Sequence, residues 1–158
     1  AEKGIPPRQE KNCTIDLAVD AFIPEAYIAS SNLRIDVYRK IALIENDADC
    51  DDLTDELLDR FGDLPAPVQN LIDISLIRNT ASAAGFTAVE QKGRVISLYH
   101  PAPAIEAVSA VAAEEALRGR IMLAAGGRPH IAARLAEGDG NLDVTKKILK
   151  SYTNLSHL

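Results

Sequence analysis

The sequence predicts an α+β fold: an N-terminal helical half followed by a ββαββα half, in which a small antiparallel sheet is covered by helices. Three observations predict it. Apolar residues recur at helical spacing between residues 32 and 85, alternate around two glycine turns after residue 86, and return to helical spacing near the C-terminus. With 158 residues, 47% apolar and 25% charged, the chain has the make-up of one globular domain that needs no metal or disulfide staple.

Residues 1–13, rich in Pro, Lys and Glu, read as a flexible leader, and 14–158 as the domain proper, with a helical part over 14–85 and the ββαββα part over 86–158. A short strand is expected at Thr14 to Val19, where Ile15 and Leu17 share a face. Pro24 turns the chain, and Ser30, Ser31 and Asn32 supply capping groups for a first helix from Asn32 to Glu45. Leu33, Val37, Ile41 and Ile44 form its apolar stripe. A second helix spans Asp51 to Phe61, stopped by Gly62 and Pro65.

The third helix runs from Pro65 or Pro67 to Gly85 and carries two stripes. Val68, Leu71, Ile72 and Leu76 form one; Ile74, Ile77, Ala81 and Ala84 form the other, leaving a narrow polar strip near Gln69, Asp73 and Thr80. A helix apolar over most of its girth is a central one. Hairpins follow at 86–99 around Lys92-Gly93 and at 121–135 around Gly126-Gly127, with helices at 104–117 and 142–155.

Bulk properties narrow the function. No apolar run reaches the roughly 20 residues that cross a bilayer, and Cys13 and Cys50 read as ordinary reduced thiols, so the expected location is the cytoplasm. The chain opens on Ala1 without a methionine, and reads as a piece of a larger protein. Residues 1–117 hold twenty acids against ten bases, whereas 118–158 hold three acids against seven bases. The acidic part argues against an extensive nucleic-acid surface; the basic part leaves open a nucleic-acid-binding appendage using Arg118, Arg120, Arg128, Arg134, Lys146, Lys147 and Lys150.

No phosphate-binding glycine loop, nucleophile elbow, zinc-helix motif or paired CxxC occurs, and His100, His130 and His157 are far apart in sequence. No catalytic, metal or cofactor-binding residue is therefore assigned; a site assembled only in three dimensions is the remaining enzyme hypothesis. The densest feature is a run of eight carboxylates in the fifteen residues from Glu45 to Asp59, without a base. It begins like a calcium loop at Asp47, Asp49 and Asp51, but has Asp52 where the loop needs glycine and Leu58 where it needs a bidentate glutamate. Asp49, Asp51 and Asp52 are expected to cap the second helix. Glu56 and Asp59, three apart, share a face further along it. Two readings stand for them: an acidic patch for a partner, or a solvated face in which one of them pairs with Arg60 or another base.

The ordered set Ala21-Phe22-Ile23-Pro24, Tyr27-Ile28, Arg34, Tyr38 and Glu56-Leu57-Leu58-Asp59-Arg60-Phe61-Gly62-Asp63-Leu64-Pro65 resembles the C-terminal domain of the bacterial transcription-repair coupling factor. The likeness is close over about residues 14–86 and rests on element order beyond. It implies a non-catalytic regulatory domain of a DNA translocase that couples stalled RNA polymerase to nucleotide excision repair. The ATP and magnesium chemistry would belong to the parent's motor, and no cofactor to this domain. The resemblance further implies docking on the parent's own UvrB-like N-terminal module, masking the surface that binds UvrA and restraining the motor. Glu56 and Asp59 would be the acceptors for basic residues of that module. UvrA, RNA polymerase and DNA would be partners through the parent, with no membrane involved.

Overall fold

The computed structural model describes residues 13–156, so the expected leader lies, but for Cys13, outside the described residues. In chain order the elements are β1 (Thr14–Asp16), α1 (Ser31–Ala42), α2 (Asp47–Phe61), α3 (Ala66–Ala83), β2 (Ala88–Lys92), β3 (Val95–Tyr99), α4 (Ile105–Ala113), β4 (Ile121–Ala124), β5 (His130–Arg134) and α5 (Asn141–Ser156). The α+β class stands, with the four strands of the second half paired antiparallel. A fifth strand joins them. β1 pairs parallel with β2, Ile15 opposite Val89, which makes the sheet mixed, in the order β1-β2-β3-β5-β4. The helical half therefore contributes an edge strand to the sheet.

The register puts Val89, Leu98, Ile131 and Leu123 in one row and Gln91, Ile96, Ala133 and Ile121 in the next, all on one face. Their apolar members pack into one core cluster with buried residues of α3, α4 and α5. The opposite face carries Tyr99, His130, Ser97 and Ala132, all half-buried, and the exposed Met122. A second cluster fills the helical half, built on Ile28, Val37, Ile41, Leu57, Val68 and Ile72.

α3 belongs to both. Val68, Ile72 and Leu76 enter the helical cluster with Leu71 against it, while Ile77 and Ala81 enter the sheet cluster with Ile74 and Ala84 against it. The two stripes thus face two cores, which is why the helix is apolar over most of its circumference. Two polar residues between the stripes also point inward: Ser75 Oγ donates to the Ile41 carbonyl at 2.6 Å, and the Asn79 amide donates to the carbonyls of Ala42 and Ile44. Asn79 serves carbonyls at the end of α1 and in the following turn, and Ser75 adds a second bond to the Ile41 carbonyl, which also accepts from the Ile44 N–H at 3.1 Å.

Several boundaries differ from the sequence expectation: α1 ends at Ala42 rather than Glu45, and three others shift for a local reason. α2 starts four residues early because Asn46, not the aspartates, caps it: Asn46 Oδ1 accepts from the Asp49 N–H at 2.8 Å, and Asp49 accepts in return from the Glu45 N–H at 2.9 Å. Asp51 and Asp52 then lie beyond the first turn, exposed. β1 stops at Asp16 rather than Val19, where the Ala18 N–H goes to the Gln91 side chain. α4 ends at Ala113, and a 3₁₀ turn at Glu115–Leu117 carries Leu117 into the core.

Gly85, at the exit of α3, is required twice over. Its φ of +97° is left-handed, and a Cβ there would lie 2.6 Å from the His100 ring nitrogen, itself bonded to the Ala84 carbonyl.

Candidate functional site

Several residues that carried the family resemblance tie the loop before α1 to α1 and to the end of α2. Pro24 turns the chain so that Tyr27 reaches the C-terminus of α2, where its hydroxyl bonds the carbonyls of Gly62 at 2.8 Å and Leu57 at 3.3 Å. Its ring lies 5.8 Å from that of Phe61. Arg34 donates to the carbonyls of Ile28 and Ala29 at 2.8 and 3.0 Å, and the Ile23 N–H donates to the Tyr38 hydroxyl at 2.9 Å. The loop from 21 to 30 is thereby pinned to both α1 and α2. Gly62, at φ +88°, lets the chain leave α2 sharply.

On α2, Leu53 and Leu57 face the core, whereas Asp51, Asp52, Asp55, Leu58 and Asp59 are exposed. Glu56 and Asp59 do share the outer side, but their chemistry differs. Glu56 is already paired: its Oε2 accepts from Lys40 Nζ of α1 at 2.5 Å and from Arg60 Nη1 at 3.0 Å. The Lys40 hydrogen bond, reinforced by Arg60, holds this carboxyl below the ordinary glutamate range. The Arg60 guanidinium also lies 4.8 Å from the centre of the Phe61 ring. Asp59 makes no ion pair with any described residue. Of the two readings, the paired one describes Glu56, while Asp59 is exposed and without an ion pair among the described residues.

The Arg60 contact was legible as an i, i+4 pair. Lys40 was not, because nothing in a 16-residue separation marks two charges as neighbours.

The basic residues after 117 do not form one surface. Lys146 pairs with Asp73 at 3.2 Å, Lys150 with Asp47 at 3.7 Å, and Arg120 with Asp139, whose carboxyl is lowered chiefly by the Ala136 N–H and then by Arg120. Arg128 stacks 3.8 Å over the Tyr99 ring, on the sheet face opposite the core and away from the α5 lysines. Of the histidines, His100 bonds the Ala84 carbonyl, His130 bonds that of Arg128, and His157 lies outside the described residues. A cleft of about 560 Å³ opens between the start of α2, α3 and α5, lined by Glu45, Asp47, Thr80, Lys146, Lys147 and Lys150 among others, and no histidine borders it. Among the described residues no three His, Cys, Asp or Glu side chains converge as metal ligands, and no helix is long and apolar enough to cross a membrane.

Fold and site together define a class: a two-core α+β domain whose helical half is locked by loop clamps and presents an acidic, partly ion-paired helix. Within that class the chain belongs to the TRCF domain family, whose model matches residues 17–109. It is 35% identical over 107 residues to the transcription-repair-coupling factor of Staphylococcus aureus (strain USA300), an alignment covering 66% of this chain and 9% of that protein. To the factor of Staphylococcus epidermidis it is 37% identical over 84 residues, 53% of this chain and 7% of that one. The chain thus spans about a tenth of the length of the curated relatives it matches. A crystal structure of the C-terminal domain of transcription-repair coupling factor has the same fold, with a TM-score of 0.81 over 95% of this chain and 97% of that chain at 22% identity. That likeness extends through the ββαββα part, past the end of the family-model match.

Proposed function

We propose that this domain is a non-catalytic regulatory part of a cytoplasmic transcription-coupled repair translocase. It docks on the parent's UvrB-like N-terminal module, masks the UvrA-binding surface and restrains the ATP-driven motor. RNA polymerase, UvrA and DNA are then partners of the parent, and ATP with magnesium belongs to the motor.

One observation carries the reading. The Asp59 carboxylate stands exposed and without an ion pair among the described residues, one helical turn from Glu56, on a helix whose C-terminal end Tyr27 anchors to a loop that Arg34 and Tyr38 pin to α1. Rigid, preplaced acceptors suit bidentate arginine contacts, which are directional and charge-assisted. Because both carboxylates are at least partly in water, such contacts are individually weak and salt-screened. A weak, polar interface suits a switch whose closed and open states differ by only a few kcal/mol.

The test is charge reversal, Glu56→Arg with Asp59→Arg, in the full-length parent. It should raise basal ATPase activity and tighten UvrA binding. Unchanged ATPase and UvrA binding, with the melting transition intact, would overturn the reading.

A further inference from the structure

Resting on that docking reading, we propose that Lys40 is an intramolecular competitor for the docking site: its ammonium occupies the Glu56 carboxylate when the domain is released, and a partner cation must displace it. Both internal cations bond the same oxygen, Oε2, with Lys40 the closer at 2.5 Å and Arg60 at 3.0 Å. An incoming guanidinium engages a carboxylate best through both oxygens at once, a fork that a lysine already on the site obstructs.

The two cations are not equally free to leave. Arg60 belongs to the same helix, one turn from Glu56, and lies over the Phe61 ring. Lys40 reaches across from the last turn of α1 on a flexible four-carbon stem, its side chain 46% exposed. It can swing into water without disturbing any other described ion pair. Docking at Glu56 is then an exchange of one ion pair for another, whereas Asp59 gains a new one. The exchange keeps the closed state only modestly favoured, and Lys40 sets by how much.

Removing the competitor should therefore strengthen docking. An exposed ion pair of this kind corresponds to roughly a two- to five-fold change in an equilibrium constant. In the full-length parent a tighter closed state lowers the open fraction, so Lys40→Ala should weaken apparent UvrA affinity by about two- to five-fold. Lys92→Ala makes the same charge change on the β2–β3 hairpin, where Lys92 has no ion pair among the described residues, and should leave UvrA affinity unmoved.

UvrA titrations of the parent carrying each change, with melting curves as a check on folding, separate the outcomes. Weaker UvrA binding for Lys40→Ala alone supports the competitor. Tighter binding would mean that Lys40 holds the carboxylate in its docking geometry, and overturns the proposal while docking stands. No change, or equal changes for Lys40→Ala and Lys92→Ala, also overturns it. If reversing Glu56 and Asp59 leaves UvrA affinity untouched, the docking reading itself falls, a result visible independently of Lys40.

Discussion

Asn79 offers the sharpest test of how the helical half is held together. Its side chain is buried, and its amide donates to the Ile44 carbonyl and, at 3.3 Å, to that of Ala42. Asn79→Ala strips that donor from a carbonyl in the α1–α2 turn. A buried acceptor left without its partner costs about 1–3 kcal/mol, and truncating the side chain leaves a small void beside it. The expected loss is about 2–3 kcal/mol, which for a domain of this size lowers the melting temperature by roughly 5–10 °C. Asn79→Asp should be worse, because it removes the same donor and points a carboxylate at two carbonyl oxygens. Urea and thermal unfolding followed by far-ultraviolet circular dichroism measure both. A loss below about 0.5 kcal/mol for alanine, or an aspartate variant as stable as the parent, would refute the claim that this amide closes the end of α1.

Three further outcomes are expected. Gly85→Ala should cost at least about 2 kcal/mol in the same unfolding assays, since the left-handed backbone and the approach of the His100 ring both oppose a Cβ. Burial, with neighbouring Asp73 and Asp47 adding to it, pushes the Cys50 thiol from 9.0 up to about 11, and burial likewise raises Cys13 to about 11. A raised thiol pKa keeps the unreactive protonated form at neutral pH, so alkylation at pH 8 should be about a hundredfold slower than for an unperturbed thiol, and should accelerate as pH climbs toward 11. Finally, with Lys146, Lys150 and Arg120 engaged in ion pairs and Arg128 on another face, duplex DNA titrated at low salt should show no saturable binding; tight, salt-sensitive binding would restore the nucleic-acid reading.

Local chemistry was legible wherever it acts over a turn or two of chain. The double stripe of α3 foretold a central helix, because side-chain direction follows 3.6-residue periodicity whatever surrounds it; that its stripes face two separate cores was decided by the packing. The spacing of Asn46 and Asp49 marks the start of α2, but the dense aspartates just beyond drew the expected start four residues too far along. Both hairpins followed from alternation around glycine, because a tight turn needs a residue tolerant of unusual φ.

Contacts between distant segments were decided by the tertiary structure. β1 pairs with β2 across about seventy residues, and a three-residue strand carries no mark of its neighbour or of its parallel sense. Ser75 and Asn79 drew no notice in the sequence; only the placement of the end of α1 makes them donors to its carbonyls. At the candidate site the division is the same. Sequence alone put Glu56 and Asp59 on one side of a helix and Arg60 within reach, because all three share a single backbone geometry. That Glu56 is occupied by Lys40 while Asp59 has no ion pair among the described residues depended on how α1 packs beside α2, since a long-range ion pair forms only where the apolar core brings its two helices together.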